Sequence, residues 1–178
     1  MEFSHEIIVL IGLMGSGKSR VGIELSRLLK MPFIDSDKEI EKAAGMSIPE
    51  IFDALGEPEF RKGEKKVMLR LLESGPKVLA SGGGAFIQAD IRDAVKTKAV
   101  SVWLKASLET LVERTSRTDN RPLLRGVDRT EKLSQLIDAR YPVYAEADIT
   151  VVTDDQSPRH MARIIIEQLE KWKRDRGA

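Results

Sequence analysis

The sequence GLMGSGKS, residues 12–19, directly follows the apolar run IIVLI at residues 7–11. Its spacing, G-x-x-x-x-G-K-S, combines glycines that let the backbone curl with a lysine and a serine at the end. In such a loop several backbone N–H groups converge on one point, and the start of a following helix adds a partial positive charge. Residues 21–30 carry apolar side chains at helical spacing, so the loop joins a strand to a helix. This context favours a loop that binds the phosphates of a nucleoside triphosphate over a chance glycine turn.

Two residues at the end of this loop are suited to particular tasks. Lys18 can reach the β- and γ-phosphates, and the Ser19 hydroxyl can coordinate Mg²⁺. Lys18 is also a candidate catalytic residue, because its charge would neutralise the reacting phosphates. We expect the nucleotide to contact six residues of the segment, which are Gly15, Ser16, Gly17, Lys18, Ser19 and Arg20.

Apolar runs of strand length alternate with longer periodic stretches along the rest of the chain. The predicted strands are residues 7–11, 32–35, 77–80, 99–104 and 149–152. Residues 36–74 indicate helices broken at Gly45 and Gly56, and a closing helix has Pro158 in its first turn. This alternation predicts an α/β fold in which helices cover both faces of a parallel sheet. We expect a single domain over residues 1–178.

Composition restricts the possible classes of function. The chain has 178 residues, of which 42% are hydrophobic, and 29 basic and 28 acidic side chains give it a net charge of +1. This balance argues against a nucleic-acid or membrane-surface binder. Because the chain has no cysteine, disulfides, thiolate catalysis and Cys-based zinc sites are excluded. No apolar run approaches the ~20 residues of a membrane span, and the first residues indicate a strand, not a signal peptide, so we expect a soluble cytoplasmic domain.

The second predicted strand ends in acids, in the sequence PFIDSD at residues 32–37. The guanine-reading pattern N-K-x-D of GTPases is absent, and no other predicted strand ends in the aspartate typical of ATPase motors. Asp35 and Asp37 would lie at the carboxyl edge of the sheet, where open α/β folds bind ligands. Asp37 could act as general base toward a hydroxyl, and Asp35 could accept from a water on Mg²⁺. The alternative is that one or both acids cap the helix that follows.

Residues 113–129 do not fit a packed core. This segment contains Pro122, Gly126 and few large apolar side chains. We interpret it as an exposed, mobile insertion between two helices. It also contains five arginines, at positions 114, 117, 121, 125 and 129.

Six motifs together resemble the shikimate kinase family. They are GLMGSGKS, FIDSD, SIPEIFDALGEPEFRKGE, SGGG, NRPLL and ARYPVYAEA, in the family's order and spacing, and they span about residue 10 to residue 157. The resemblance implies a three-layer P-loop fold of the nucleoside-monophosphate-kinase type, with a five-stranded parallel sheet in the order 2-3-1-4-5. It also implies that a monomer transfers the γ-phosphate of ATP to the 3-hydroxyl of shikimate, on the route to aromatic amino acids.

The resemblance implies an acceptor site that includes helices at about residues 36–62. Asp37 would bind and deprotonate the acceptor, while Arg61 and Arg140 would bind its carboxylate with their two guanidinium groups. Glu64, three residues beyond Arg61, could orient it on the same helical face. Without the resemblance, such an Arg–Glu pair would more often be a solvated surface pair.

The glycines Gly82, Gly83 and Gly84 follow the third predicted strand. We expect them to form a strand-to-helix turn that needs positive φ. The resemblance adds that their backbone N–H groups face the acceptor, with Gly83 as the leading candidate, and that this stretch stands in for the missing strand-end aspartate.

The segment at residues 113–129 resembles the lid of the family, which closes over bound nucleotide and excludes water. By this resemblance, Arg121 would reach the β- and γ-phosphates and stabilise charge in the transition state. Arg114 would stack near the adenine, and Gln156 is our candidate contact at the adenine end. We interpret the other three arginines of the lid as surface charge.

Two other functions stay open at this point. Another small-molecule kinase on the same scaffold, for gluconate or a nucleotide, would not require the paired arginines 61 and 140. A nucleotide-binding switch would bind ATP without acceptor-dependent release of ADP, and it would not need two acids together with a lid.

Overall fold

The computed structural model describes Phe3, residues 6–117 and residues 121–177. Five parallel strands form one sheet in the order β2-β3-β1-β4-β5, as predicted. Their bounds are β1 Ile7–Ile11, β2 Phe33–Asp35, β3 Lys77–Ala80, β4 Val100–Lys105 and β5 Ile149–Val152. The five predicted strands are therefore confirmed within one residue at each end.

The connections between the strands are helical. The α-helices are α1 Lys18–Leu29, α2 Ser36–Ala44, α3 Ile48–Leu71, α4 Ala89–Lys98, α5 Leu108–Ser116, α6 Arg129–Tyr144 and α7 Pro158–Asp175. Short 3₁₀ turns lie at Ala85–Ile87 and Pro122–Leu124. In the described part of the chain, no helix is both long enough and apolar enough to cross a membrane.

The central strand β1 shows why the sequence forms three layers. Successive side chains of a strand point to opposite faces of the sheet. Ile7, Val9 and Ile11 join a core that includes side chains of α3, α4, α5 and α6. Ile8 and Leu10 join a second core, built mainly with α1 and α7. The uninterrupted apolar run is thus explained by burial of the strand on both faces.

The helix α3 is bent at Gly56, where the sequence predicts a break. Gly56 has φ 82° and ψ 168°, and Pro58 follows it. The preceding helix α2 ends at Gly45, which has a φ of 68°, so the second predicted break is also confirmed. The bend divides α3 into two parts, and the second part carries Arg61 and Glu64.

The end of α3 is held by a buried lysine at the start of β3. Lys77 is only 5% exposed. Its ammonium group donates to the carbonyl oxygen of Leu71 over 2.7 Å, and also to the carbonyl of Ser74. The carbonyls at the end of a helix have no partner within the helix, and this lysine supplies one for Leu71, the last residue of α3.

The lid segment, residues 113–129, begins inside α5 and ends at the first residue of α6. Leu124, in its 3₁₀ turn, packs against the core, and Arg125 contacts Asp53 of α3 over 3.2 Å. Residues 118–120 lie outside the described residues. The boundaries of the lid and its mobility stay predictions.

Candidate functional site

A cavity of about 720 Å³ opens at the carboxyl edge of the sheet, around the glycine-rich loop. Its lining also includes the acids at the end of β2, arginines of α5 and of the lid segment, and residues that follow β5. All of the predicted nucleotide and metal contacts line it, namely Gly15, Ser16, Gly17, Lys18, Ser19, Arg20, Asp35, Arg114, Arg121 and Gln156. Asp37 lines it as well.

The glycine-rich loop has the backbone geometry that its sequence predicts. Gly15 and Gly17 have φ values of 83° and 95°, and α1 begins at Lys18. The Lys18 ammonium folds back over the loop and donates to the carbonyl oxygens of Gly12 over 2.7 Å and Leu13 over 3.0 Å. Loss of hydration lowers the pKa of Lys18 to about 8. The lysine therefore lies where it could exchange these carbonyls for phosphate oxygens.

Asp35 joins the loop to the helix α2. One of its carboxylate oxygens accepts from the Ser19 hydroxyl over 2.9 Å, and the other accepts from the backbone N–H of Asp37 over 3.0 Å. The second bond caps α2, so the alternative considered for the acids is correct for Asp35. The first bond brings a hydroxyl and a carboxylate together, and Mg²⁺ prefers such oxygen ligands. Among the described residues, no three His, Cys, Asp or Glu side chains gather as a metal site of their own.

Asp37 is half-buried between the loop and the glycines after β3. Burial and, next, the negative charge of Asp35 raise the pKa of Asp37 to about 6, although the charge of Lys18 opposes this shift. Arg121, from the lid segment, is close enough to interact electrostatically with both Asp37 and Lys18. Lys18 of the loop, Asp37 and Arg121 therefore lie close together in this cavity.

Arg61 and Glu64 form an ion pair that is not a solvated surface pair. The Arg61 guanidinium donates to Glu64 Oε1 over 2.8 Å, and the Glu64 side chain is only 1% exposed. Arg61 also contacts the more exposed Glu57 over 3.2 Å. The pair lies against the glycines, since a Cβ added at Gly84 would be 2.5 Å from the Arg61 guanidinium carbon.

The three glycines after β3 do not have positive φ, so the expected conformational reason for them was wrong. Glycine is required at these positions because a Cβ would collide with neighbouring side chains. A Cβ on Gly82 would lie 2.8 Å from both Asp37 Oδ1 and Glu64 Oε2, and one on Gly83 would lie 3.2 Å from an Arg140 nitrogen. Together with Gly84 against Arg61, these contacts show that the glycines let two acids and two arginines approach one stretch of backbone.

The backbone N–H of Gly82 donates to the Ser36 hydroxyl over 3.0 Å. This N–H group is therefore engaged within the protein, and a contact of Gly82 with the phosphoryl acceptor stays a prediction. Ser36 is fully buried and lies between the two acids in sequence. Its bond fixes the end of β2 to the glycines.

Arg140 and Gly83 share a partner, the fully buried Tyr144. The Tyr144 hydroxyl donates to the Gly83 carbonyl, and Arg140 is close enough to interact with the same hydroxyl. Burial raises the pKa of Tyr144 to about 12, because the charged phenolate is disfavoured away from water. Sequence reasoning missed this residue, although it lies within the motif ARYPVYAEA.

Arg114 lies beneath the loop. It donates to the carbonyl oxygens of Gly15 over 3.3 Å, Ser16 over 3.4 Å and Thr153 over 2.9 Å. It therefore connects the phosphate loop to the segment after β5, where Gln156 is exposed on the same cavity. Arg114 and Gln156, the predicted adenine contacts, therefore line the same cavity, and their roles stay predictions.

The fold and the loop define a class of protein. A glycine-rich loop ending in Lys18 and Ser19, at the carboxyl edge of a parallel sheet in the order 2-3-1-4-5, is the arrangement of P-loop nucleotide-binding proteins. The sequence model of shikimate kinase matches residues 14–170. A shikimate kinase of Caulobacter vibrioides (strain NA1000 / CB15N) is 58% identical over 148 residues, which are 83% of this chain and 74% of that protein. The chain belongs to the shikimate kinase family.

Solved structures resemble this chain to different degrees. Shikimate kinase from Acinetobacter baumannii, solved in complex with shikimate, has a TM-score of 0.92 and 39% identity, with 95% of each chain covered. A gluconokinase from Sinorhizobium meliloti 1021 has a TM-score of 0.58 and 20% identity, with 90% of this chain and 89% of that chain covered. The second likeness concerns the fold alone.

Proposed function

We propose that this protein transfers the γ-phosphoryl group of ATP to the 3-hydroxyl of shikimate, giving shikimate 3-phosphate and ADP. One observation carries the proposal. Asp37, Arg140 and Arg61 lie against three successive glycines, Gly82, Gly83 and Gly84, beside the phosphate loop. An acid with two guanidiniums suits a small acceptor that carries both a hydroxyl and a carboxylate. Membership of the family and the shikimate bound in the Acinetobacter structure support this acceptor.

In the proposed reaction, Arg61 and Arg140 bind the acceptor carboxylate and orient the ring. Asp37, as the carboxylate, takes the proton from the attacking hydroxyl. A bond forms between this hydroxyl oxygen and the γ-phosphorus, while the bond from phosphorus to the leaving oxygen of ADP breaks. Lys18 and Arg121 neutralise the phosphates as charge shifts toward ADP.

The nucleotide would be bound as its Mg²⁺ complex. We propose that Ser19 holds the ion directly and Asp35 through water, since their oxygens already lie 2.9 Å apart. When bound, the ion neutralises phosphate charge and fixes the phosphate geometry. Both residues can keep these positions while Asp35 continues to cap α2.

The lid is the last part of the proposal. We propose that residues 113–129 close over ATP, which would exclude the water that competes as phosphoryl acceptor. The contact between Arg125 and Asp53, at 3.2 Å, is consistent with a segment that rests on α3. The expectations of a monomer and of a cytoplasmic location stay predictions.

A coupled assay of ADP release tests the function. Shikimate, gluconate and nucleoside monophosphates are offered separately with Mg²⁺ and ATP, and we expect release with shikimate alone. The methyl ester of shikimate is the matched control, because it has the ring and hydroxyls but no charge for the two arginines. We expect the ester to react ~100-fold less efficiently, since it offers no carboxylate charge to Arg61 and Arg140.

The alternatives have distinct results in the same assay. ADP release with gluconate or a nucleotide, and not with shikimate, would support another small-molecule kinase. Binding of ATP without any acceptor-dependent release would support the nucleotide switch. Equal rates with shikimate and its ester would contradict the role of the arginines while leaving the kinase activity in place.

A further inference from the structure

The Glu64 carboxylate receives two donors on one oxygen. Its Oε1 accepts from the Arg61 guanidinium and from the Gln88 side-chain amide, each over 2.8 Å. Its Oε2 is buried and has no hydrogen-bond partner. A buried carboxylate is stable only if its charge is compensated by such donors. The orientation of Glu64 therefore depends on Gln88 as well as on Arg61.

Gln88 does not perform the task that its place in the chain suggests. It is the residue before the first turn of α4, yet its side chain makes no capping bond to that helix. Serine, threonine, aspartate and asparagine are preferred at this place, and glutamine is not among them. The amide instead reaches across to α3, from a backbone that Arg92 fixes through bonds of 3.0 Å to the carbonyls of Phe86 and Ile87.

The position of the Arg61 guanidinium depends on the orientation of Glu64. On one side the guanidinium lies against Gly84, and on the other it donates to Glu64 Oε1. The remaining carboxylate partner of Arg61, Glu57, has a half-exposed side chain and is a weaker anchor. If the Glu64 side chain turned away from this orientation, Oε1 would leave the guanidinium, and Arg61 would lose its buried partner.

We propose that Gln88 is a positioning residue for the acceptor site. Its amide holds Glu64 in the one orientation that places the Arg61 guanidinium against Gly84. Gln88 does not line the nucleotide cavity, so the KM for ATP is the internal reference for an effect on the acceptor side. The expected effect on the KM for shikimate rests on the proposed function. The contacts among Gln88, Glu64, Arg61 and Gly84 are present without any substrate.

The first test replaces Gln88 by methionine, which has nearly the same length but no N–H. We expect the KM for shikimate to rise ~5- to 20-fold, because binding would lose part of the free energy of a hydrogen bond to a charged group. The KM for ATP should change little, and the melting temperature should fall by only a few degrees, because Glu64 keeps its pair with Arg61. The matched control is Gln135→Met, which removes a 3.4 Å amide bond to Glu131 on the exposed side of α6. This control should leave both KM values unchanged.

The second test is Gln88→Ser, which separates positioning from stability. Serine is a preferred residue before the first turn of a helix but cannot reach Glu64. We expect the melting temperature to hold or to rise while the KM for shikimate rises as in Gln88→Met. Loss of stability together with equal losses for shikimate and ATP, in both variants, would show a merely structural residue and would overturn the proposal.

A third measurement needs no turnover. In the protein without ligands, the Nε–H signal of Arg61 in a ¹⁵N NMR spectrum, identified by its loss in Arg61→Lys, reports how firmly the guanidinium is held. We expect faster exchange with water in Gln88→Met than in the parent protein. If the parent does not phosphorylate shikimate, the proposed function fails, and this signal still decides on Gln88. An unchanged signal, or an unchanged KM for shikimate in an active protein, contradicts the inference.

Discussion

At the scale of single residues, Asp37 combines two properties that oppose each other. A carboxylate that is to take a proton gains from a raised pKa, because its basicity then approaches the working pH. The same burial that raises the pKa to about 6 makes the charged form less stable in the fold. The residue thus costs stability for the sake of its proposed chemistry, and one substitution can measure both effects.

We expect Asp37→Asn to lower turnover by a factor of ~10²–10⁴, because the amide cannot accept the proton. Binding of ATP, measured by calorimetry, should persist, since the loop and Lys18 are unchanged. Asp93→Asn, on the exposed surface of α4, is the control and should keep full activity. Near-normal turnover of Asp37→Asn would mean that another group takes the proton.

The same variant tests the raised pKa through stability. The folded pKa of Asp37, about 6, exceeds the ~3.9 of an unfolded aspartate, so protonation adds stability as the pH falls through 6. This contribution is complete below the unfolded pKa and is lost as the pH rises. We expect the Asp37→Asn variant to be more stable than the parent protein by ~1–3 kcal/mol at pH 7 and about equally stable at pH 4. Thermal unfolding of both proteins from pH 4 to pH 8 would reveal this change, and a constant difference would contradict the shift.

Gly84 is required by space alone, and this can be tested. Its φ of −91° suits alanine, but an alanine Cβ would lie 2.5 Å from the guanidinium carbon of Arg61. We expect Gly84→Ala to displace Arg61 and to raise the KM for shikimate ~10-fold or more, with the KM for ATP unchanged. Steady-state kinetics with each substrate varied would measure this. Unchanged acceptor kinetics would show that Arg61 can move aside without loss.

At the scale of elements, α3 contains two glycines whose replacement should have opposite effects. Gly63 is helical and a Cβ there meets nothing within 4 Å, whereas Gly56 lies at the bend with φ 82° and ψ 168°. We expect Gly63→Ala to stabilise the fold by ~0.5–1 kcal/mol, because alanine loses less entropy in a helix. Gly56→Ala should destabilise it by ~1–3 kcal/mol, because this conformation is almost confined to glycine. Urea unfolding of both variants checks the signs, and equal signs would contradict the assignment of the bend.

The elements themselves could be predicted from local patterns. The run IIVLI, the breaks at Gly45 and Gly56, and Pro158 in the first turn of α7 each have a signature within a few residues. The site was predicted in a different way, since the roles of Arg61 and Arg140 came only from the resemblance to the family. Spacing alone would have left Arg61 and Glu64 as a surface pair.

The missed features involve residues that are far apart in sequence. Ser36 bonds to Gly82 across 46 positions, Gln88 to Glu64 across 24, and Tyr144 to Gly83 across 61. No periodicity connects such pairs, because they meet only once the sheet has brought their elements together. The error about the three glycines has the same origin, since the neighbours that exclude a Cβ lie on other elements.

At the scale of the whole molecule, the lid segment reaches the site from the far side of the cavity. Arg121 faces Asp37 and Lys18, whereas Arg125, four residues later, lies outward and contacts Asp53 of α3. Two arginines of one short segment thus have different surroundings. Their substitution separates a role in catalysis from a general effect of charge.

We expect Arg121→Ala to lower turnover by ~10³-fold, because the transition state would lose a charge that balances the phosphates. Arg125→Ala is the matched control, and it should change turnover by less than ~5-fold, since an exposed ion pair contributes little. Single-turnover measurements at saturating ATP and shikimate would separate the chemical step from product release. Equal losses in the two variants would assign the effect to the overall charge of the lid.

The buried Lys77 at the corner between α3 and β3 has a practical consequence. Reagents that acylate amines modify the lysines on the surface at once, but they cannot approach an ammonium group that is 5% exposed and bonded to the end of a helix. Modification of Lys77 therefore requires this corner to open. The time course of its acylation, followed by mass spectrometry, would report the rate at which the end of α3 separates from β3.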